Sequence, residues 1–166
     1  MNCIILIGMP GAGKSTVGVL LAKALGLDFI DTDLIIQRAE GRTLQKIIDT
    51  DGLSRFIETE ERIVAALDAE NSVIATGGSV IFGEKAMDNL RRLGKAVYLR
   101  ASFETVASRI SNISTRGVAM NPGQELRSVY DERYPLYEKY ADITVDVDGG
   151  SVEESVREVI SALGSK

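Results

Sequence analysis

The chain has 166 residues, 45% of them hydrophobic and 26% charged, with a net charge of −5, no histidine and one cysteine. That length suits one domain with a sizeable core. The acidic balance leaves no basic stripe for nucleic-acid phosphate, lone Cys3 excludes an internal disulfide, and the lack of histidine excludes Ser-His-Asp, Cys-His and histidine–metal chemistry.

No apolar run near the start is long enough to span a bilayer, and no charged-then-apolar leader is visible. A cytoplasmic protein without membrane or nucleic-acid partners is the expectation. Acid–base chemistry must fall to carboxylates, lysine or the substrate itself. Magnesium remains open, because it needs only oxygen ligands and substrate phosphates.

The first element is an apolar run at 2–8, which reads as a fully buried strand containing Cys3 as a structural thiol. It leads into Gly8-Met9-Pro10-Gly11-Ala12-Gly13-Lys14-Ser15-Thr16, which matches G-x-x-x-x-G-K-[ST]. A helix at 14–25 follows, closed by Gly26 as a left-handed cap. Strand, glycine loop and helix together make a phosphate cradle. Glycines let successive N–H groups point inward, and the helix start adds the positive end of its dipole. On this reading Lys14 reaches the β- and γ-phosphates, and the Ser15 hydroxyl ligates Mg²⁺.

A short strand at 29–31 ends on Asp31-Thr32-Asp33, at the sheet edge where open α/β folds bind ligands. Residues two apart in an extended chain point the same way. One carboxylate can then hold Mg²⁺ through water, while the other accepts a proton from an attacking hydroxyl. An aspartate before Leu34 also suits a helix N-cap, and Asp33 could fill both roles. Short helices are predicted at 34–40 and 44–49, separated by Gly41-Arg42-Thr43. A turn at Asp51-Gly52 precedes a longer helix at 54–70, with Phe56, Ile63, Val64 and Leu67 as its apolar face.

A third strand at 72–75 runs into Thr76-Gly77-Gly78-Ser79, where paired glycines imply close backbone approach. A helix at 85–93 is closed by Gly94, a fourth strand covers 96–99, and Ser102 caps a helix at 103–110. The polar segment 112–124 holds Arg116, Gly117, Pro122 and Gly123 and reads as a lid. A helix at 125–140, interrupted near Pro135, precedes an alternating fifth strand at 143–147. Ser151 and Glu154 form a capping box for the last helix, whose apolar face is Val152, Val156, Val159, Ile160 and Leu163. Tyr98, Tyr130, Tyr134, Tyr137 and Tyr140 read as packing residues. Strands alternating with helices imply a parallel sheet covered on both sides.

The phosphate loop with Val17-Gly18 and Leu21-Ala22, Phe29-Ile30-Asp31-Thr32-Asp33, Phe56 and Glu60 after Asp51-Gly52, Thr76-Gly77-Gly78, Arg116 and Arg133-Tyr134-Pro135-Leu136-Tyr137 together resemble the shikimate kinase family. The resemblance implies an α/β P-loop NTPase fold of three layers, with a five-stranded parallel sheet in order 2-3-1-4-5. It implies a single domain over 1–166, a lid at about 112–124 and a substrate-binding helical region at about 33–62. ATP would be the co-substrate, Mg²⁺ the cofactor, and a small hydroxylated compound, foremost shikimate, the acceptor of a monomeric enzyme.

Carried over by position, Gly8, Pro10, Gly11, Ala12, Gly13, Lys14, Ser15 and Thr16 would bind the nucleotide, with Arg109 against the adenine and lid Arg116 on the phosphates. Ser15 and Asp31 would hold the metal. Asp33 would bind substrate hydroxyls and serve as base, with Lys14 and Arg116 also catalytic. Gly77 and Gly78 would offer N–H groups to the acceptor, and Arg133 would grip its carboxylate.

The chain also departs from that pattern. The family's carboxylate-binding arginine falls on Ile57, and losing such a contact costs about 1.5–3 kcal/mol of substrate binding. Arg55 and Arg62 are the possible replacements, although Arg55 lies two places away and so on another helix face. The third glycine of the family's run is Ser79, the lid's Arg-Pro is Arg116-Gly117, and a late arginine near the adenine is absent around Gly149-Gly150. Two alternatives therefore stand beside shikimate phosphorylation. One is transfer to another hydroxy compound such as homoserine or a sugar acid. The other is a nucleotide-binding module without transfer, against which Asp31, Asp33 and Arg133 argue.

Overall fold

All five residues of β1 (Cys3–Ile7) are buried, as a strand covered by helices on both faces must be. A computed structural model describes residues 3–111 and 118–164. Around β1 lie β2 (Asp28–Asp31), β3 (Ser72–Ala75), β4 (Gly94–Arg100) and β5 (Ile143–Asp146), all parallel, in the order β2-β3-β1-β4-β5. The chain order changes direction beside β1, so the ends of β1, β2 and β3 open onto one crevice.

The helices are α1 (Lys14–Leu25), α2 (Thr32–Glu40), α3 (Leu44–Asp51), α4 (Leu53–Ala65), α5 (Glu84–Leu93), α6 (Phe103–Ser111), α7 (Leu126–Tyr140) and α8 (Val152–Gly164). The main core joins the strands to α1, α5, α7 and α8. A second, smaller core of Ile36, Ile47, Phe56 and Ala119 holds α2, α3 and α4 together, with Ile57 packed at its margin. α1 can lie close to β2 only because residue 18 is glycine. A Cβ there would stand 2.6 Å from Phe29 Cε2.

β1 and β4 pair from Cys3 opposite Gly94 to Ile7 opposite Tyr98. A Cβ on Gly94 would lie 1.8 Å from the Cys3 carbonyl oxygen, and one on Gly8 would lie 2.7 Å from that of Leu99. Gly94 closes α5 as expected, its N–H donating to the Leu90 carbonyl, and with an extended φ of −177° it also opens β4, which starts there rather than at residue 96.

Three further expectations are corrected. α4 ends at Ala65, not residue 70, because Asn89 Nδ2 of α5 donates to the carbonyls of Val64 at 3.0 Å and Leu67 at 2.8 Å. These bonds satisfy acceptors that another helical turn would have used. α7 runs through Pro135 without a break, anchored on both sides by buried Arg133 and Tyr137. The N-cap of α2 is Asp31, whose Oδ1 accepts from the Asp33 N–H at 2.9 Å. Asp33 is thus a residue of the first helical turn, and the two aspartates do not sit in one extended strand.

The capping box behaves as expected. Ser151 N donates to Glu154 Oε2 at 2.7 Å, and Glu154 N donates to Ser151 Oγ at 3.2 Å. Ser102 Oγ likewise accepts from Thr105 N at 3.2 Å to start α6. Cys3 is free and buried. No described helix is long and apolar enough to cross a membrane.

Candidate active site

A cleft of about 610 Å³ opens at the strand ends and brings together the phosphate loop, Asp33, Gly77, Gly78 and Arg133. The loop's shape depends on its glycines. Gly11 and Gly13 take φ of +84° and +93°, where a side chain would be strained. Gly13 caps α1 through its backbone alone, leaving the first N–H groups of that helix facing the cleft.

Lys14 is only 7% exposed. Its Nζ donates to the carbonyls of Gly8 at 2.7 Å and Met9 at 2.9 Å, so it lies along the inner side of the loop. Burial lowers its pKa to about 8, against an opposing effect of Asp33. Ser15 Oγ donates to Asp31 Oδ2 at 3.0 Å. Hydroxyl and carboxylate at the foot of a phosphate loop form a hard, all-oxygen donor pair, which fits Mg²⁺ completed by water and phosphate. Thr16 is exposed at the cleft, and Pro10 and Ala12 line it. Arg109 Nη1 donates to the Gly11 carbonyl at 3.0 Å, which places its guanidinium beside the loop. Arg116 lies outside the described residues, as do residues 112–117 of the expected lid.

Gly77 and Gly78 admit what no other residue could. A Cβ on Gly77 would fall 2.7 Å from Glu60 Oε1 and 2.8 Å from Asp33 Oδ1, and one on Gly78 would fall 2.6 Å from Pro10 Cδ. The Gly77 N–H is already engaged, donating to Thr32 Oγ1 at 3.3 Å. Gly78 lends its carbonyl instead, which accepts from Tyr137 Oη at 2.5 Å. After Ser79 the chain turns through a short 3₁₀ segment, Val80–Phe82, that sequence reading missed.

Arg133 is 2% exposed. Its Nη2 donates to the Ala119 carbonyl, and its guanidinium lies 5.5 Å from the Phe82 ring centre. Nε and Nη1 have no hydrogen-bond partner among the described residues. Buried cationic donors without partners in a cleft wall suit an anionic group such as a carboxylate, and because Nε and Nη1 lie on different edges of the guanidinium, each would meet its own acceptor atom. Arg55 pairs with Glu58 and Arg62 with Glu40, both on exposed helix surface, and neither lines the cleft.

Three site residues lay outside the sequence-based assignment of roles. Glu60 is 1% exposed and accepts from Ser79 Oγ at 2.5 Å. Burial raises its pKa to about 7, with Asp33 adding to the rise and Ser79 opposing it. One signal was available: Phe56, Glu60 and Val64 recur every four residues along α4, so a carboxylate stands inside the buried stripe. Tyr137, assigned only to packing, also stacks on Tyr98 with ring centres 5.2 Å apart while it braces Gly78.

Known proteins resemble this chain over nearly its whole length. The shikimate kinase family model matches residues 10–164. A shikimate kinase of Psychrobacter sp. (strain PRwf-1) is 39% identical over 96% of this chain and 91% of its own. That of Thermodesulfovibrio yellowstonii is 37% identical over 96% and 94%. A solved shikimate kinase of Acinetobacter baumannii in complex with shikimate superposes with a TM-score of 0.88 at 30% identity, covering 100% of this chain and 96% of its own. Matched by the family model over residues 10–164 and by relatives of this identity over nearly its whole length, the chain belongs to the shikimate kinase family.

Proposed function

We propose that this chain transfers the γ-phosphoryl group of ATP to a ring hydroxyl of shikimate, with Mg²⁺ held through Ser15 and Asp31. The observation that carries the reading is one cleft shared by a phosphate loop, an aspartate and a buried arginine with unpartnered donors. Relatives named shikimate kinase at 37% and 39% identity support the acceptor.

Arg133 binds the acceptor carboxylate through an unpartnered donor of its buried guanidinium and turns a ring hydroxyl toward the loop. Asp33 accepts that hydroxyl's proton as its oxygen bonds to the γ-phosphorus. The bond from that phosphorus to the β–γ bridging oxygen breaks, and ADP leaves. Lys14 turns from the Gly8 and Met9 carbonyls to the phosphates, and the free N–H groups of α1 share the developing charge. Mg²⁺ held by Ser15 and Asp31 would supply neutralisation of phosphate charge. The segment 112–124 closes as a lid, excluding water and bringing Arg116 to the phosphates. The enzyme acts as a monomer in the cytoplasm, a compartment that suits one free, buried cysteine.

One observation favours a second acceptor class. Ile57 offers no charge, and neither Arg55 nor Arg62 lines the cleft, so carboxylate recognition falls to Arg133. ADP release measured with shikimate, homoserine and sugar acids separates the readings. Saturable turnover on shikimate with a KM between about 1 μM and 1 mM is the expected result. Turnover confined to another acceptor would replace the substrate, and nucleotide binding without transfer to any acceptor would overturn the kinase reading.

A further inference from the structure

The acceptor wall holds a buried pair that the proposed reaction leaves unused, Ser79 lining the cleft and Glu60 standing behind it. Ser79 Oγ and Glu60 Oε2 are 2.5 Å apart, and their residues are 2% and 1% exposed. Glu60 Oε1 is buried with no hydrogen-bond partner among the described residues. That oxygen comes within 2.7 Å of the point a Gly77 Cβ would occupy, and Gly77 is part of the cleft wall. Asp33 Oδ1 approaches the same point from the other side, at 2.8 Å. The missing side chain at residue 77 therefore leaves Glu60 Oε1 and Asp33 Oδ1 facing one point beside the cleft, with only the backbone of Gly77 between Glu60 and the cavity.

A carboxyl with one oxygen bonded and the other open can swing about its terminal bond unless the bonded oxygen is held. A buried acceptor without a partner is costly, so ligand atoms that supply a donor gain from reaching it. We propose that Ser79 is a positioning residue for acceptor binding: its hydroxyl pins Glu60 so that the second carboxyl oxygen, beside Asp33 and Gly77, takes a hydrogen bond from an acceptor hydroxyl. This rests on the kinase reading above. Ser79 touches no substrate in this scheme and acts only through Glu60. Ile57, one turn before Glu60 on α4, brings no competing cation to that carboxyl.

The test is a double-mutant cycle on the full chain with Ser79→Ala, Glu60→Gln and the two combined. KM for shikimate, KM for ATP and kcat are measured for each, with ADP binding followed by calorimetry as a check on the folded loop. Ser79→Ala is expected to raise the acceptor KM about tenfold, the worth of one hydrogen bond to a charged group, while ATP KM and ADP affinity stay within about twofold. In the Glu60→Gln background the same substitution should add nothing, because the two residues act as a unit. An unchanged acceptor KM in Ser79→Ala overturns the proposal. So do effects that multiply in the double variant, or equal losses toward ATP and acceptor. A wild-type enzyme that phosphorylates no hydroxyl of shikimate overturns the functional reading itself, a result distinct from any of these.

Discussion

Ser15 Oγ donates to Asp31 Oδ2 at 3.0 Å, tying the first turn of α1 to the last residue of β2. Asp31 meanwhile caps α2 through its other oxygen, so one carboxylate serves the fold and, in the proposed reaction, the metal. Asp31→Asn keeps a capping oxygen and removes the charge. It should raise the Mg²⁺ concentration for half-maximal activity at least about tenfold, at the scale seen when a metal site loses a supporting group. Its thermal midpoint should stay close to the wild type. Asp31→Ala removes the cap as well and should cost about 1 kcal/mol of stability. A magnesium titration unchanged in Asp31→Asn would remove this residue from the metal site.

Asp33 stands in the first turn of α2 with a carboxyl oxygen beside Gly77. Asp33→Asn preserves shape and removes the base. Steady-state kinetics should show kcat lowered at least about a hundredfold, the usual worth of a positioned general base. ADP affinity by calorimetry should be nearly unaltered. A kcat within a few-fold of wild type would assign proton removal elsewhere.

Ile57 precedes Glu60 by three residues, so a side chain there shares Glu60's face of α4. Ile57→Arg would set a guanidinium beside the acceptor-side carboxyl and the incoming carboxylate. If shikimate is the acceptor, its KM should fall about tenfold, with ATP KM unaffected. A folded variant with the same or a higher KM would indicate that this cleft accommodates a different acceptor.

Glu60 also carries a stability signature. Its carboxyl titrates near 4.5 when unfolded and about 7 in the folded protein, chiefly because of burial. Between those values the folded state holds a proton that the unfolded chain has lost. Stability attached to this group is therefore full below about pH 4.5 and is lost as pH rises to about 7. The loss is about 3 kcal/mol. Glu60→Gln should melt higher than wild type at pH 8, and the difference should close as pH approaches 4.5. Equal melting temperatures at both pH values would mean that Glu60 titrates alike in the folded and unfolded chain.

The parts of the site legible in the sequence are those whose chemistry is local. Nine consecutive residues define the phosphate loop, and Asp31, Asp33, Gly77 and Gly78 follow strands that apolar runs mark out. The sheet order came with the family resemblance, and the strands pair as it implied. What escaped depends on partners far along the chain. Glu60 and Ser79 are 19 residues apart, and Tyr137 meets Gly78 across 59. The end of α4 was misplaced for the same reason, since Asn89 that terminates it lies on another helix. The cap of α2 moved from Asp33 to Asp31 because Thr32 already turns helical, a choice that local propensity leaves open.

The two glycine contacts between β1 and β4 make that strand pair a gauge block for catalysis. Its lower stop is Gly94 against Cys3, and its upper stop is Gly8 against Leu99, where the phosphate loop begins. Any bulk added at the lower stop wedges the two strands apart and tilts the loop, though residue 94 stands at the opposite end of the strand pair from it. Libraries built to retarget this enzyme should hold both positions fixed and vary the acceptor wall instead.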